Sequence, residues 1–129
     1  MNLKNICLPD DRGYTGEHIW AKQEGNTVLA GISDYAQQQL DEVMFVDLPE
    51  AGKRFEAGDI FGSVESVKSV NGLYMPVSGV ILAVNETLAD SPELVNHSPY
   101  KDGWLIRIQT DTPESLNALL DAEAYKKLF

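Results

Sequence analysis

The chain has 129 residues, 43 % of them hydrophobic and 23 % charged, which is the composition of one globular domain and excludes a disordered chain or a large multidomain enzyme. Twenty acidic against ten basic residues give a formal net charge of -10, which opposes binding to nucleic acids and to anionic membranes. Cys7 is the only cysteine, so no disulfide can form within the chain and a reducing compartment is favoured.

The N-terminal residues show neither the apolar run of a secretory signal peptide nor the arginine-rich pattern of a transit peptide. Nowhere do about 18 apolar residues follow one another, so the sequence predicts no transmembrane helix. We therefore expect a cytoplasmic protein.

The first third of the chain predicts a hairpin followed by a short helix. Strands are expected at 19–23 and 27–32, on either side of a turn that contains Gly25. Ser33 has the character of a helix N-cap, and the helix that it begins is expected to continue through Leu40.

The middle of the chain predicts β structure. The apolar run Val43-Met44-Phe45-Val46 indicates a buried strand. Further strands are expected at 60–66, 69–74 and 79–84, and period-2 alternation predicts another at 104–109.

Helices are expected towards the C-terminus. Ser91-Pro92-Glu93 predicts a short helix through about Asn96, because serine caps well and proline suits a first turn. Thr112-Pro113-Glu114 begins another, with Leu116, Leu119 and Leu120 at helical spacing. Asp121 can cap a last helix that carries Tyr125 and Leu128 on one face.

The sequence gives little support for a common type of catalytic or metal site. His18 and His97 lie far apart without a cysteine nearby, so no metal site is expected. The glycines form no phosphate-binding loop. Ser66 with Lys68 could suggest a serine nucleophile and its base, but two residues on one hairpin supply neither an oxyanion hole nor a pocket.

Lys68 is the most informative residue, because it is the only Lys or Arg between Phe55 and Tyr100. The acids in that stretch are Glu56, Asp59, Glu65, Glu86, Asp90 and Glu93. Composition alone favours a solvated lysine that discourages edge pairing of a strand. Local turn rules place a hairpin turn at Asn71-Gly72, which would leave the lysine on a strand.

A set of segments, spread from about Tyr14 to the C-terminus, carries a resemblance to a known family. They are Gly31-Ile32-Ser33-Asp34-Tyr35-Ala36-Gln37, Phe45-Val46-Asp47-Leu48-Pro49, Gly58-Asp59, Val64-Glu65-Ser66-Val67-Lys68-Ser69-Val70, Pro76-Val77-Ser78-Gly79, Asn85-Glu86, Pro92-Glu93-Leu94-Val95-Asn96 and Pro99-Tyr100-Lys101-Asp102-Gly103-Trp104-Leu105. Through them the chain resembles the lipoyl/biotinyl carrier domains and, more closely, the H-protein family of the glycine cleavage system.

The resemblance implies a single carrier domain over residues 1–129, mainly β with short helices, in a barrel-sandwich hybrid. It implies a hairpin over about 60–74 with its turn near Val67-Lys68, and a helical segment over about 112–129. Lipoic acid is then expected as an amide on the exposed Lys68. Glu65, Ser66 and Val67 are expected to be recognised beside it by a lipoate ligase or a lipoyl or octanoyl transferase.

The resemblance also implies a function and partners. A noncatalytic, monomeric carrier in the bacterial cytoplasm would receive an aminomethyl group from a pyridoxal-phosphate glycine decarboxylase (P protein). An aminomethyltransferase (T protein) would remove that group, and dihydrolipoyl dehydrogenase (L protein) would reoxidise the arm. The alternative is a paralogous lipoate carrier that serves sulfur-oxidising, heterodisulfide-reductase-like enzymes or relays lipoyl groups.

Three positions depart from the family pattern. Ile19 stands where an acidic or polar residue is common, and Gly72 where aspartate is common. Those acids are associated with docking of the loaded arm, because a carboxylate pairs with a protonated amine. We therefore consider Glu17, His18, Ile19 and Gly72 as the arm-docking region. Docking of the amine is expected either to be weaker here or to be supplied by Glu17 or another acid. Asp41 stands where glycine is usual, and the sequence offers no reason for it.

Overall fold

Two antiparallel sheets make up most of the fold in the computed structural model, which describes residues 6–129. The strands are β1 (Gly13–Tyr14), β2 (Ile19–Glu24), β3 (Thr27–Ile32), β4 (Val43–Asp47), β5 (Arg54–Phe55), β6 (Ile60–Ser66), β7 (Val70–Tyr74), β8 (Gly79–Val84) and β9 (Ile106–Thr110). The larger sheet has the order β1-β2-β3-β9-β8-β5, and the smaller has the order β4-β6-β7.

The core lies between the two sheets. One hydrophobic cluster combines Ile19, Val28 and Ile81 of the larger sheet with Val64 and Leu73 of the smaller one, all at most 2 % exposed. Each sheet thus turns one face towards the other, as alternation along its strands requires.

Short helices close the remaining sides. They are α1 (Asp34–Leu40), α2 (Leu94–His97), α3 (Ala122–Lys126) and two 3-10 helices at Glu86–Ala89 and Pro113–Ala118. None of the helices described in residues 6–129 is both long and apolar enough to cross a membrane.

Local sequence rules located several boundaries well. Strand β3, strand β6 and strand β8 have the expected limits. Helix α1 begins after Ser33, whose side chain accepts a hydrogen bond from the backbone N–H of Ala36. The Asp121 carboxylate accepts in the same way from Ala124 N–H at the start of α3.

The expectations near the C-terminus need three corrections. Helix α2 begins at Leu94, because Pro92 and Glu93 form a turn that precedes it. The 3-10 helix ends before Leu119, since the backbone of Leu120 instead exchanges hydrogen bonds with Tyr14. Leu128 is 55 % exposed, and Phe129 instead packs against the rings of Tyr35 and Tyr125.

The expectation of a strand buried throughout 43–46 is also wrong. Val43 and Val46 are buried, but Met44 and Phe45 are more than half exposed. Strand β9 begins at Ile106 rather than at 104, and β7 at Val70 rather than at 69.

Tyr125 anchors the C-terminal helix to the body of the domain. Its ring is fully buried and stacks on Tyr14 at a centroid distance of 4.8 Å. Its hydroxyl lies 2.6 Å from His18 Nδ1 and 2.7 Å from the hydroxyl oxygen of Ser33. Burial raises the pKa of Tyr125 to about 12 and lowers the pKa of His18. The neutral His18 ring and the Tyr125 hydroxyl thus share one hydrogen bond through His18 Nδ1.

Asp41 is one of two non-glycine residues with positive φ among those described. It follows α1 with φ 60° and ψ -143°, a combination that glycine adopts far more readily. Asn96 holds this corner, donating to the carbonyl oxygen of Asp41 at 2.6 Å and accepting from Val43 N–H at 2.8 Å. Glycine, which is usual at this position in the family that the sequence resembles, would adopt this conformation without strain.

We expect Tyr125→Phe to lower the free energy of unfolding by about 1–3 kcal/mol, because the buried Ser33 hydroxyl and the half-buried His18 ring lose their shared partner. Leu128→Ala, in the same C-terminal segment but exposed, is expected to change it by less than about 0.5 kcal/mol. Urea denaturation followed by circular dichroism measures both. Equal effects of the two variants would contradict the anchoring role.

We expect Asp41→Gly to raise the free energy of unfolding by up to about 1 kcal/mol, because it relieves the positive φ. Glu42→Gly is the matched control, since Glu42 does not have a positive φ and glycine there only adds chain entropy to the unfolded state. Thermal denaturation should show a higher melting temperature for the first variant and a lower one for the second. A fall in both would contradict backbone strain at Asp41.

Candidate functional site

The hairpin of β6 and β7 places Lys68 at its turn. Glu65 pairs with Val70 and Val64 with Asn71, and the N–H of Ser66 donates to Ser69 O at 2.8 Å. The turn therefore lies at Val67-Lys68, while Asn71 and Gly72 are inside the strand pairing. The hairpin geometry agrees with the family resemblance rather than with the local turn rule.

Ser66 shapes this turn from the inside. Its side chain is buried, and its hydroxyl oxygen accepts from the N–H groups of Lys68 at 3.4 Å and Ser69 at 3.3 Å. Such side-chain to backbone bonds substitute for a backbone turn. Of the three residues expected on the recognition surface, Glu65 and Val67 are exposed, whereas the Ser66 side chain is buried.

The Lys68 amine is accessible and points towards the end of α1. Its side chain is 55 % exposed, and Nζ lies 3.1 Å from the Asp41 carboxylate. An exposed ion pair of this kind contributes only about 0–1 kcal/mol. The pair orients the amine without removing it from solvent. Sequence reasoning missed Asp41 as a neighbour of the lysine, and its departure from glycine was the one available signal.

A cleft of about 120 Å³ runs beside the hairpin, between β7, α1 and the start of β2. It is lined by Glu17, Ile19, Ile32, Ala36, Gln39, Leu40, Val64, Asn71, Gly72 and Leu73. Three of the four residues considered for arm docking, Glu17, Ile19 and Gly72, therefore meet at one cleft. Leu40 of its lining directly precedes Asp41, so the Lys68 amine is held near this cleft.

His18 does not line the cleft. Its backbone has φ 70°, and its ring contacts Tyr125 and Tyr35 at centroid distances of 5.6 and 4.8 Å. The backbone N–H of Ser33 donates to His18 O at 3.0 Å. His18 thus fixes the chain between Glu17 and Ile19 but does not present its ring to the arm.

The cleft is suited to a flexible hydrocarbon chain with a cationic end. Its walls are mostly aliphatic, and Glu17 is the only charged residue that lines it within the described part of the chain. A larger cavity of about 340 Å³, between the N-terminal segment and α3, shares no lining residue with the hairpin. Residues 6–129 contain no cluster of three or more His, Cys, Asp or Glu side chains arranged to hold a metal ion.

Comparison with known proteins gives a consistent result. The sequence profile of the family described as "Glycine cleavage H-protein" matches residues 12–129. A glycine cleavage system H protein of Anaeromyxobacter sp. (strain K) is 47 % identical over 119 residues, 92 % of this chain and 93 % of the relative. One from Chromohalobacter salexigens is 50 % identical over 122 residues, 94 % of this chain and 93 % of the relative.

A solved structure extends the likeness to the fold. The crystal structure of a glycine cleavage system H protein from Mycobacterium marinum superposes with a TM-score of 0.86 at 36 % identity, covering 94 % of this chain and 98 % of that one. This likeness confirms the mainly β carrier fold that the resemblance implied. The chain belongs to the glycine cleavage H-protein family.

Proposed function

We propose that Lys68 carries lipoic acid, bound as an amide to its Nζ, in this carrier component of the glycine cleavage system. The observation that carries the proposal is the position of Lys68, an exposed primary amine at the turn of a tightly paired hairpin. A ligase or transferase can reach such an amine without unfolding any strand. Nothing observed favours the alternative role with sulfur-oxidising enzymes.

The chemistry of attachment changes what Asp41 can do. An amine must lose its proton before it attacks an activated acyl group, and the resulting amide is neutral. The ion pair between Lys68 Nζ and Asp41 exists only before modification. Acylation therefore removes the ion pair that orients the free amine, and Asp41 no longer holds the end of the Lys68 side chain.

The lipoyl group, when bound, supplies thiol–disulfide exchange and carries an aminomethyl group between enzymes. The protein itself catalyses no turnover in this proposal. The turn at Val67-Lys68 projects the attachment point, and the aliphatic walls of the cleft would exclude water from a hydrocarbon chain bound there.

Glu17 is the residue that we propose for holding the loaded arm. Ile19 and Gly72 give the cleft no charge where the family commonly has acids, whereas Glu17 lines the cleft and its carboxylate can pair with a protonated amine. His18 acts indirectly, by fixing the backbone next to Glu17.

The partners of the proposed carrier are the decarboxylase, the aminomethyltransferase, the dihydrolipoyl dehydrogenase and the enzyme that attaches the lipoyl group. Glu65 and Val67 are exposed beside Lys68 and available for contact with them. The arm has to visit several enzymes in turn, so its contacts with each of them are transient. A monomer is the simplest form for such a carrier. We place it in the cytoplasm of a bacterium.

We expect the protein to gain the mass of one lipoyl group when it is expressed with a lipoate ligase, and Lys68→Arg to gain none. Arginine keeps the positive charge but has no primary amine to form the amide. Intact-mass spectrometry measures this, and Lys101→Arg serves as the control. Equal masses of the parent and Lys68→Arg would refute the attachment site.

We expect the lipoylated protein to support exchange between glycine and bicarbonate by the decarboxylase. The assay follows the incorporation of labelled bicarbonate into glycine. Full lipoylation without exchange would contradict the function proposed for the arm in glycine cleavage.

We expect Glu17→Gln to release the aminomethyl group two- to fivefold faster than the parent when no aminomethyltransferase is present, because a partly exposed ion pair is worth about 1 kcal/mol or less. The measurement is the intact mass of the loaded protein over time. Glu114→Gln is the matched control, since Glu114 is an exposed acid that does not line the cleft. Equal lifetimes for Glu17→Gln and the control would exclude Glu17 as the docking acid.

A further inference from the structure

Asp41 has a backbone conformation that favours glycine, and its carboxylate contacts the Lys68 amine. Its φ of 60° lies in the left-handed region, and glycine is usual at this position in the family. A residue that is kept in such a conformation indicates a role for its side chain. The side chain of Asp41 lies 3.1 Å from Lys68 Nζ, the amine to which the proposed function assigns the lipoyl group.

Both partners of this ion pair start from a fixed backbone. On one side, Asn96 donates to the carbonyl oxygen of Asp41 at 2.6 Å and to Gln37 Oε1 at 3.0 Å, which ties the corner to α1. On the other side, the buried Ser66 hydroxyl accepts from Lys68 N–H at 3.4 Å. Aspartate has a short side chain, so the loss of rotamer freedom falls mainly on the lysine. The fold therefore defines the pair, although both side chains are exposed.

Acylation of an amine proceeds from its uncharged form. The ammonium group first gives one proton to solvent, and the nitrogen lone pair then attacks the acyl carbon. The new C–N bond forms as the bond to the leaving group breaks. The leaving group takes that electron pair, and the nitrogen loses a second proton. Asp41 stabilises only the charged amine, so the ion pair has to open before the attack.

Among the carboxylates of residues 6–129, Asp41 is the one that forms an ion pair with Lys68. Glu42 and Glu65 are exposed and close to the pair along the chain, but neither forms an ion pair with the amine. The negative charge of this region acts on any ion that approaches, whereas the contact with Asp41 acts on this one amine. A change of one side chain therefore removes the contact, and Glu42 offers a neighbouring acid for comparison.

We propose that Asp41 is a positioning residue that restrains the Lys68 amine before modification and lowers its reactivity towards small activated acyl donors in solution. The importance of this restraint for lipoyl attachment rests on the proposed function. A lysine at an exposed turn is accessible to acyl phosphates and thioesters, and acylation by the wrong donor would block the site. An enzyme that binds the hairpin can displace the carboxylate with a group of its own, whereas a small acyl donor cannot.

The test measures acetylation of the unmodified protein by N-hydroxysuccinimidyl acetate at low ionic strength. Peptide mass spectrometry gives the rate at Lys68 and, in the same sample, at the exposed Lys101. Asp41→Asn and Asp41→Gly are each expected to raise the rate at Lys68 about two- to fivefold, which is the range that an exposed ion pair allows. The rate at Lys101 should stay the same. Asparagine leaves the positive φ in place and glycine relieves it, so an effect that both share belongs to the lost carboxylate.

Glu42→Gln is the matched control, because it removes the neighbouring exposed carboxylate and leaves the ion pair intact. It is expected to change the rate at Lys68 by less than about 1.5-fold. Salt at about 1 M shortens the Debye length to about 3 Å and should bring both Asp41 variants close to the parent. A role of Asp41 in the shape of the turn would not depend on salt. Circular dichroism establishes that each variant is folded.

The possible outcomes separate this inference from the proposed function, since the assay uses no lipoate. Equal rates at Lys68 in the parent and both Asp41 variants overturn the restraint. A rise in only one of the two variants overturns it too, as does a rise that persists at high salt or appears equally in Glu42→Gln. If the rates rise as expected while the parent gains no lipoyl mass from a lipoate ligase, the proposed function fails and the restraint on the amine stands.

Discussion

The antiparallel pairing of β6 with β7 is the constraint on which the functional geometry depends. Because Glu65 pairs with Val70, the chain must reverse within four residues, and Lys68 occupies the reversal. The same register decides which side chains turn towards the cleft and which towards solvent. A shift of the pairing by one residue would exchange the β7 side chains that face the cleft with those that face solvent.

The two faces of the hairpin have different chemical character. The inner face continues into the core through Val64 and Leu73, so the cleft beside it has mostly aliphatic walls. Glu17 is the one acid among the described residues that line it. The outer face carries the exposed side chains of Phe45, Glu65 and Val70. The hairpin thus combines an inner face beside a cleft with an outer face that is accessible from solvent.

Elements far from Lys68 maintain this arrangement. Tyr125 joins α3 to His18 and Ser33, which lie directly before the cleft residue Ile19 and at the start of α1. Asn96 fixes the strained corner at Asp41, whose carboxylate contacts the lysine amine. The C-terminal segment and α2 thus hold the two walls of the cleft, although neither of them lines it.

Sequence alone determined much of the local structure, and its resemblance to a known family singled out Lys68. Ser33 and Asp121 were predicted as caps because capping is a local interaction, and β3, β6 and β8 had clear boundaries in composition. The turn at Lys68 could not be decided locally, since Asn71-Gly72 is the better isolated turn, and only the pairing with β7 and the buried hydroxyl of Ser66 fix it. The ion pair with Asp41 and the exposure of Met44 and Phe45 were decided by tertiary structure, because they depend on how α1 ends and where β4 bulges against β6. Such contacts join residues distant along the chain, and no periodicity in the sequence records them.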